Sequence, residues 1–204
     1  MNERTKITLS GKELELVCNT ELFLTKHRII EKVYRVFGGL LVSMQGIAAD
    51  HRTYLPQEIF CNDPKIFKGE NYNQLPYVML DYPRCFAKEN TLAIRTFFWW
   101  GNFFSINLQL SGKYKVAAIP VLLNNFLTVQ QNKYWVCVHD NPWQHYFEPD
   151  NYILAANLSK EDFAAILNRE PFIKIGKKIP LQQWDEAALF LERSFQEMIS
   201  LLKY

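Results

Sequence analysis

The chain lacks the features that usually announce a chemistry. Its four cysteines, Cys18, Cys61, Cys85 and Cys137, lie far apart and form no CxxC pair. The spacing therefore specifies neither a disulfide framework nor a paired-thiol metal site. Charge of one sign is also missing: 23 basic residues against 21 acidic leave a formal net of +2. A nucleic-acid binder would show a clustered basic face instead. Long hydrophobic runs are absent, because the most apolar stretches, 36–44 and 116–123, are too short for a bilayer and carry glycine or proline. The opening residues Met1 to Lys6 contain no apolar segment of a secretory signal. These absences predict a soluble cytoplasmic protein with free thiols and with neither a nucleic-acid nor a membrane partner. There is no P-loop, dinucleotide fingerprint, H-E-x-x-H, EF-hand loop or G-x-S-x-G elbow. No cofactor and no metal are expected.

What the chain has in excess is aromatic surface. Rings make up 15% of its 204 residues, as 15 Phe, 10 Tyr and 5 Trp. They concentrate between Tyr72 and Leu110, together with Asp81, Arg84 and Arg95. So many rings must fill a thick core or line a cleft. A chain of this length buries roughly 70% of its unfolded surface and needs no disulfide or metal to be stable.

Hydrophobic spacing divides the chain into elements. Residues 6–17 read as a short hairpin or interrupted strand around Ser10-Gly11. Asn19 or Thr20 caps a helix whose apolar stripe includes Leu22, Ile30, Val33, Phe37, Leu40 and Met44, fading by His51. Gly38-Gly39 mark a break in it or a close helix crossing. Residues 53–75 read as a long loop with one helical turn at Gln57 to Phe60, the kind of loop that forms lids and binding sites. Strands follow at 76–82, ended by Pro83, at 92–100, and at 104–110, where Phe104, Ile106, Leu108 and Leu110 alternate with Ser105, Asn107 and Gln109. A fourth strand is expected over 113–119, with Pro120 opening a helix. Strands over 134–138 and 152–158, a Ser159-capped helix, a strand over 172–179 and a helix from Pro180 complete the order. With no linker or repeat, residues 1–204 form a single α+β domain. Its largely antiparallel central sheet packs against an N-terminal and a C-terminal amphipathic helix. Successive rings in 97–104 point to opposite faces, so the sheet is either covered on both sides, most simply wedged between those two helices, or exposes rings to a ligand or partner.

The candidate site is a ligand pocket formed by Tyr77, Asp81, Arg84, Arg95 and Trp99 with the 62–73 loop. There the guanidinium groups would hold an anionic group while Tyr77 or Trp99 stacks on an aromatic part. Arg95→Ala is expected to abolish binding and leave the fold intact. The competing reading is a structural Asp–Arg pair. Two other functions stay open. One is an enzyme using Asp81 or His139 as general acid/base in that pocket. The other is an interaction module or homodimer with an aromatic interface. Cys137 and His139 alternate along a strand, yet nothing in the spacing supplies the further ligands zinc requires.

Overall fold

The computed structural model describes residues 7–202. In place of the expected hairpin at 6–17, a helix forms: α1, Gly11–Cys18. Ser10 and Glu13 stand at capping-box spacing, each side chain bonding the other's backbone N–H, and this satisfies donors that a strand would leave bare. Lys6 lies outside the described residues.

Asn19 accepts from the Leu22 N–H and opens α2, Thr20–Asp50. Its buried stripe is Ile30, Val33, Phe37, Leu40, Met44 and Ala48. Gly38 and Gly39 produce neither break nor crossing: the helix runs through them, and a Cβ at either would meet nothing within 4 Å. A 3-10 turn at Gln57–Phe60 follows. The expected loop then proves to contain a strand, β1 (Lys65–Tyr72).

β2 (Leu75–Phe86), β3 (Thr91–Trp99) and β4 (Phe103–Ser111) form an antiparallel meander with β1. Pro83 does not end β2. It sits where the register with β3 shifts, between Asp81 and Arg84, so its missing N–H costs no ladder bond. Residues 113–119 are helical, not extended, within α3 (Gly112–Asn124), and Pro120 lies inside that helix. α4 (Phe126–Gln131) follows, then β5 (Trp135–Cys137), β6 (Tyr152–Leu154), α5 (Lys160–Arg169), β7 (Phe172–Pro180) and α6 (Trp184–Ser200). Extended backbone after Tyr152 lasts only to Leu154, and α6 begins at Trp184 after a short 3-10 turn. The strand order is β1-β2-β3-β4-β7-β5-β6, every pairing antiparallel.

The two long helices do not sandwich the sheet. Stripes of both α2 and α6 join the same buried cluster as Val78, Leu80, Ile94, Phe98, Phe104, Ile106 and Ile175. They therefore lie side by side on one face. The opposite face carries Met79, Phe97, Trp99, Phe103 and Phe172. It is covered by a strap without regular secondary structure, residues 138–151, together with Tyr152 of β6.

Candidate functional site

Cross-strand register places one polar row across the strap-covered face: Asp81 opposite Arg95, Arg95 opposite Asn107, and Asn107 opposite Gly176. Asp81 and Arg95 are both buried, and the guanidinium donates from Nε to Oδ1 at 2.8 Å and from Nη2 to Oδ2 at 3.3 Å. Gly176 makes room for the row, since a Cβ there would lie 2.0 Å from Asn107 Oδ1. That oxygen instead accepts from the Tyr152 hydroxyl at 2.8 Å.

The strap is pinned to this row by side chains far away in sequence. Tyr72 accepts from the backbone N–H groups of His145 and Tyr146 at 2.6 and 3.2 Å. Trp143 stacks over the Arg95 guanidinium at 5.2 Å, and Phe86 lies over it at 5.5 Å. The Lys174 ammonium donates to the carbonyls of Pro142 (2.9 Å) and Gln144. Burial, reinforced by the Arg95 charge, brings Lys174 down to about 7, against a smaller upward pull from Cys137. Burial likewise holds His145 well below the ordinary histidine range, with Lys174 and Arg95 adding to it. Cys137 donates to Asn151 Oδ1, and burial pushes its thiol up.

The residues singled out in the sequence thus meet in part. Asp81 and Arg95 are bonded to one another, and neither lines any of the cavities described below. Register puts Tyr77 opposite Trp99 on the same face, where Tyr77 packs on Phe97. Trp99 donates from Nε1 to the Tyr72 carbonyl. Arg84 lies opposite Ala93, across the register shift from Asp81. His139 Nδ1 accepts from the Asn141 N–H at 2.9 Å, and this bond ties the imidazole into the strap's own turn. No group of three His, Cys, Asp or Glu residues that could hold a metal occurs among the described residues.

A spacious concavity lies beside this row, where β5 begins. β7 pairs with β4 along its whole length, but β5 pairs with it only at Ile175 and Gly176. Beyond Gly176 the β5 side of β7 has no strand partner among the described residues. Lys133, in the left-handed region at φ 55°, turns the chain from α4 towards β5. The result is a cleft of about 640 Å³ lined by Phe103, Trp135, Pro180 and Phe190, by Asn102, Gln131 and Asn132, and by Lys133, Lys177 and Lys178. Lysine is the only ionisable residue type in its wall. A volume of this order suits a small organic molecule.

The three lysines differ. Lys177 is bonded to Glu197 at 3.0 Å and lies over the Tyr134 and Phe190 rings, so its charge is partly answered. Lys133 is exposed at the rim. Lys178 sits against three rings, Trp135 at 5.0 Å, Phe147 at 5.2 Å and Phe103 at 5.5 Å. No carboxylate lies within ion-pair distance of it among the described residues. Burial among those rings pulls its ammonium below the usual lysine value, and the more distant Glu148 pulls weakly the other way. An adjoining cavity of about 510 Å³ shares Asn102, Phe103 and Lys178 with the cleft and is lined by Trp99, Tyr146 and Glu148. The cleft is not legible in the sequence because β5, the helix turn at Lys133 and β7 are brought together by sheet order alone. Its one trace there is the Lys177-Lys178 pair in an alternating strand, where one side chain faces each side of the sheet.

No family profile, curated protein or solved structure matches the chain.

Proposed function

We propose that the protein binds a small organic anion with a flat apolar body in the cleft between β7, β5 and the Lys133 turn. The observation that carries this reading is Lys178, an ammonium boxed by three rings at the junction of two cavities, with no carboxylate within ion-pair distance among the described residues. An aromatic wall binds a flat body by area and ring stacking, while an unanswered cation in a partly desolvated setting supplies the polar contact that fixes orientation. Binding is the reading the wall supports: its lysines stand with no carboxylate, imidazole, thiol or hydroxyl side chain beside them in the lining to form a catalytic pair.

The test compares 1-naphthoate with its neutral amide by calorimetric titration. A charge-assisted contact of roughly 1.5–3 kcal/mol predicts that the carboxylate binds on the order of tenfold to a hundredfold tighter than the amide. Lys178→Met is expected to erase that preference while Trp135 and Phe103 still hold the ring. The carboxylate's advantage is also expected to fade as pH rises past the lowered Lys178 value, since the neutral amine no longer attracts an anion. Equal affinity for the two probes in the wild-type protein would sink the anion reading.

A further inference from the structure

Eight of the fifteen exposed large hydrophobic residues described lie within residues 7–24, at one end of the chain. α1 has no buried residue at all, and α2 buries nothing before Ile30. Yet these side chains are not randomly placed. Phe23 stands seven residues before Ile30, at the head of the stripe that Ile30, Val33, Phe37, Leu40 and Met44 bury against the sheet. The stripe that makes the core therefore continues past the body. Where it leaves is fixed by Lys26, which bonds to Glu70 of β1. β1 is the outermost strand, paired only with β2. The arm thus overhangs an open sheet edge with its apolar stripe still running.

We propose that this arm, residues 7–28, is a dimerisation element covered by a second copy of the same chain. The two arms run antiparallel over a seam where the two β1 edges meet. Charge selects this occupant. The arm carries Lys12, Lys26 and Arg28 against Glu13, Glu15 and Glu21, a net of zero without its histidine. A helix that lies on an anionic membrane needs a polar face rich in lysine and arginine, which is absent here. A two-fold contact sets a surface against itself, and a neutral surface tolerates that. Lys12 and Glu15 form no ion pair within the chain among the described residues, and antiparallel α1 helices set each against the other's counterpart. The edge is self-complementary in the same sense. Lys68 lies opposite Val78 on the helix-covered face, and Glu70, which bonds the arm, shares that face. A two-fold centred on Gly69 places Lys68 opposite Glu70 twice.

Light scattering on the full chain, at low and high micromolar concentration, tests this with the double variant Leu16→Asp/Phe23→Asp. Both side chains are exposed, so the melting temperature and far-ultraviolet spectrum of the variant should match the wild type under monomeric conditions. The expected result is twice the 24.1 kDa chain mass for the wild type and a single mass for the variant. Amide exchange in β1 should also be slower in the wild-type dimer than in the variant. A wild type that stays monomeric at high concentration overturns the proposal, as does a variant that stays dimeric. A dimer whose β1 amides exchange freely overturns the seam. An arm that binds phosphatidylcholine vesicles in preference to another chain assigns the surface to lipid and refutes the second copy.

Discussion

Replacing Lys174 with methionine should change how stability depends on pH, and the sign is fixed by the direction of the lysine's shift. An unfolded lysine holds its proton up to about 10.5, whereas Lys174 in the folded protein releases it near 7. Between those values the unfolded state binds more protons, so stability rises with pH. Below about 7 both states are protonated, and the folded protein bears the whole cost of a buried ammonium, on the order of 5 kcal/mol at 1.36 kcal/mol per unit. From about pH 6.5 to about pH 8.5 the wild type should gain roughly 2 kcal/mol from this group alone. Unfolded cysteine and histidine also titrate within this window, so the raised Cys137 and Cys85 thiols and the lowered His145 add their own slopes, but both proteins carry these groups and the comparison between them isolates Lys174. Methionine fills much of the same volume without a proton to lose, so the variant's curve should run flatter by that same roughly 2 kcal/mol. Its absolute stability mixes two opposing effects, relief of a buried charge and loss of donors to the Pro142 and Gln144 carbonyls, at about 1–3 kcal/mol per orphaned group. Urea unfolding followed by tryptophan fluorescence across the window reads the slopes directly. Parallel curves for the two proteins would refute the reasoning, because Lys174 would then titrate alike in the folded and unfolded chain.

Gly176→Ala should destabilise by roughly 1–3 kcal/mol, because its methyl meets Asn107 Oδ1 at 2.0 Å and must break the Asn107–Tyr152 bond; thermal melting checks it. Arg95→Ala should impair the fold and not merely a binding site, since it strands the buried Asp81 carboxylate at a cost of about 3–5 kcal/mol. Much of that loss should return in the double variant Arg95→Met/Asp81→Leu. An Arg95→Ala protein with wild-type urea midpoint would instead free the arginine for a ligand.

The elements with strong period were legible, and those decided by context were not. β4 could be read from strict alternation, and α2 from its stripe and its Asn19 cap. The two faces of β4 came out correctly even though both are buried. α1 was misread because Ile7, Leu9, Leu14 and Leu16 alternate like a strand, while the Ser10–Glu13 capping box decides for helix. β1 was hidden in a loop because Lys65, Lys68, Gly69 and Asn71 break up any apolar alternation in it. Residues 113–119 carry β-branched and aromatic side chains, and only the turn at Gly112, with its positive φ of 55°, directs them into a helix. Of the candidate site, the Asp81–Arg95 pairing was open to inference from strand adjacency. That the pair would be sealed was not, because the strap over it has no periodicity to read.

The strap seals the face at the end of β5, and the cleft opens at its start. Tyr72, Arg95 and Lys174 hold residues 142–146 down through contacts that span some thirty to seventy positions of sequence. To reach that position the chain must leave the sheet directly after Cys137, and it enters only at Trp135 because Lys133 ends the preceding helix turn. β5 is therefore three residues long, while its neighbour β7 has nine. The uncovered length of β7 includes Lys177 and Lys178. The chain answers Lys177 with Glu197 on the helix side, where α6 provides an acid. On the strap side it provides rings instead, so Lys178 keeps an ammonium with no carboxylate within ion-pair distance among the described residues. A variant that loosens the strap, such as Tyr72→Phe, should therefore perturb ligand binding at Lys178 through Phe147 and Tyr146, although Tyr72 does not line the 640 Å³ cleft.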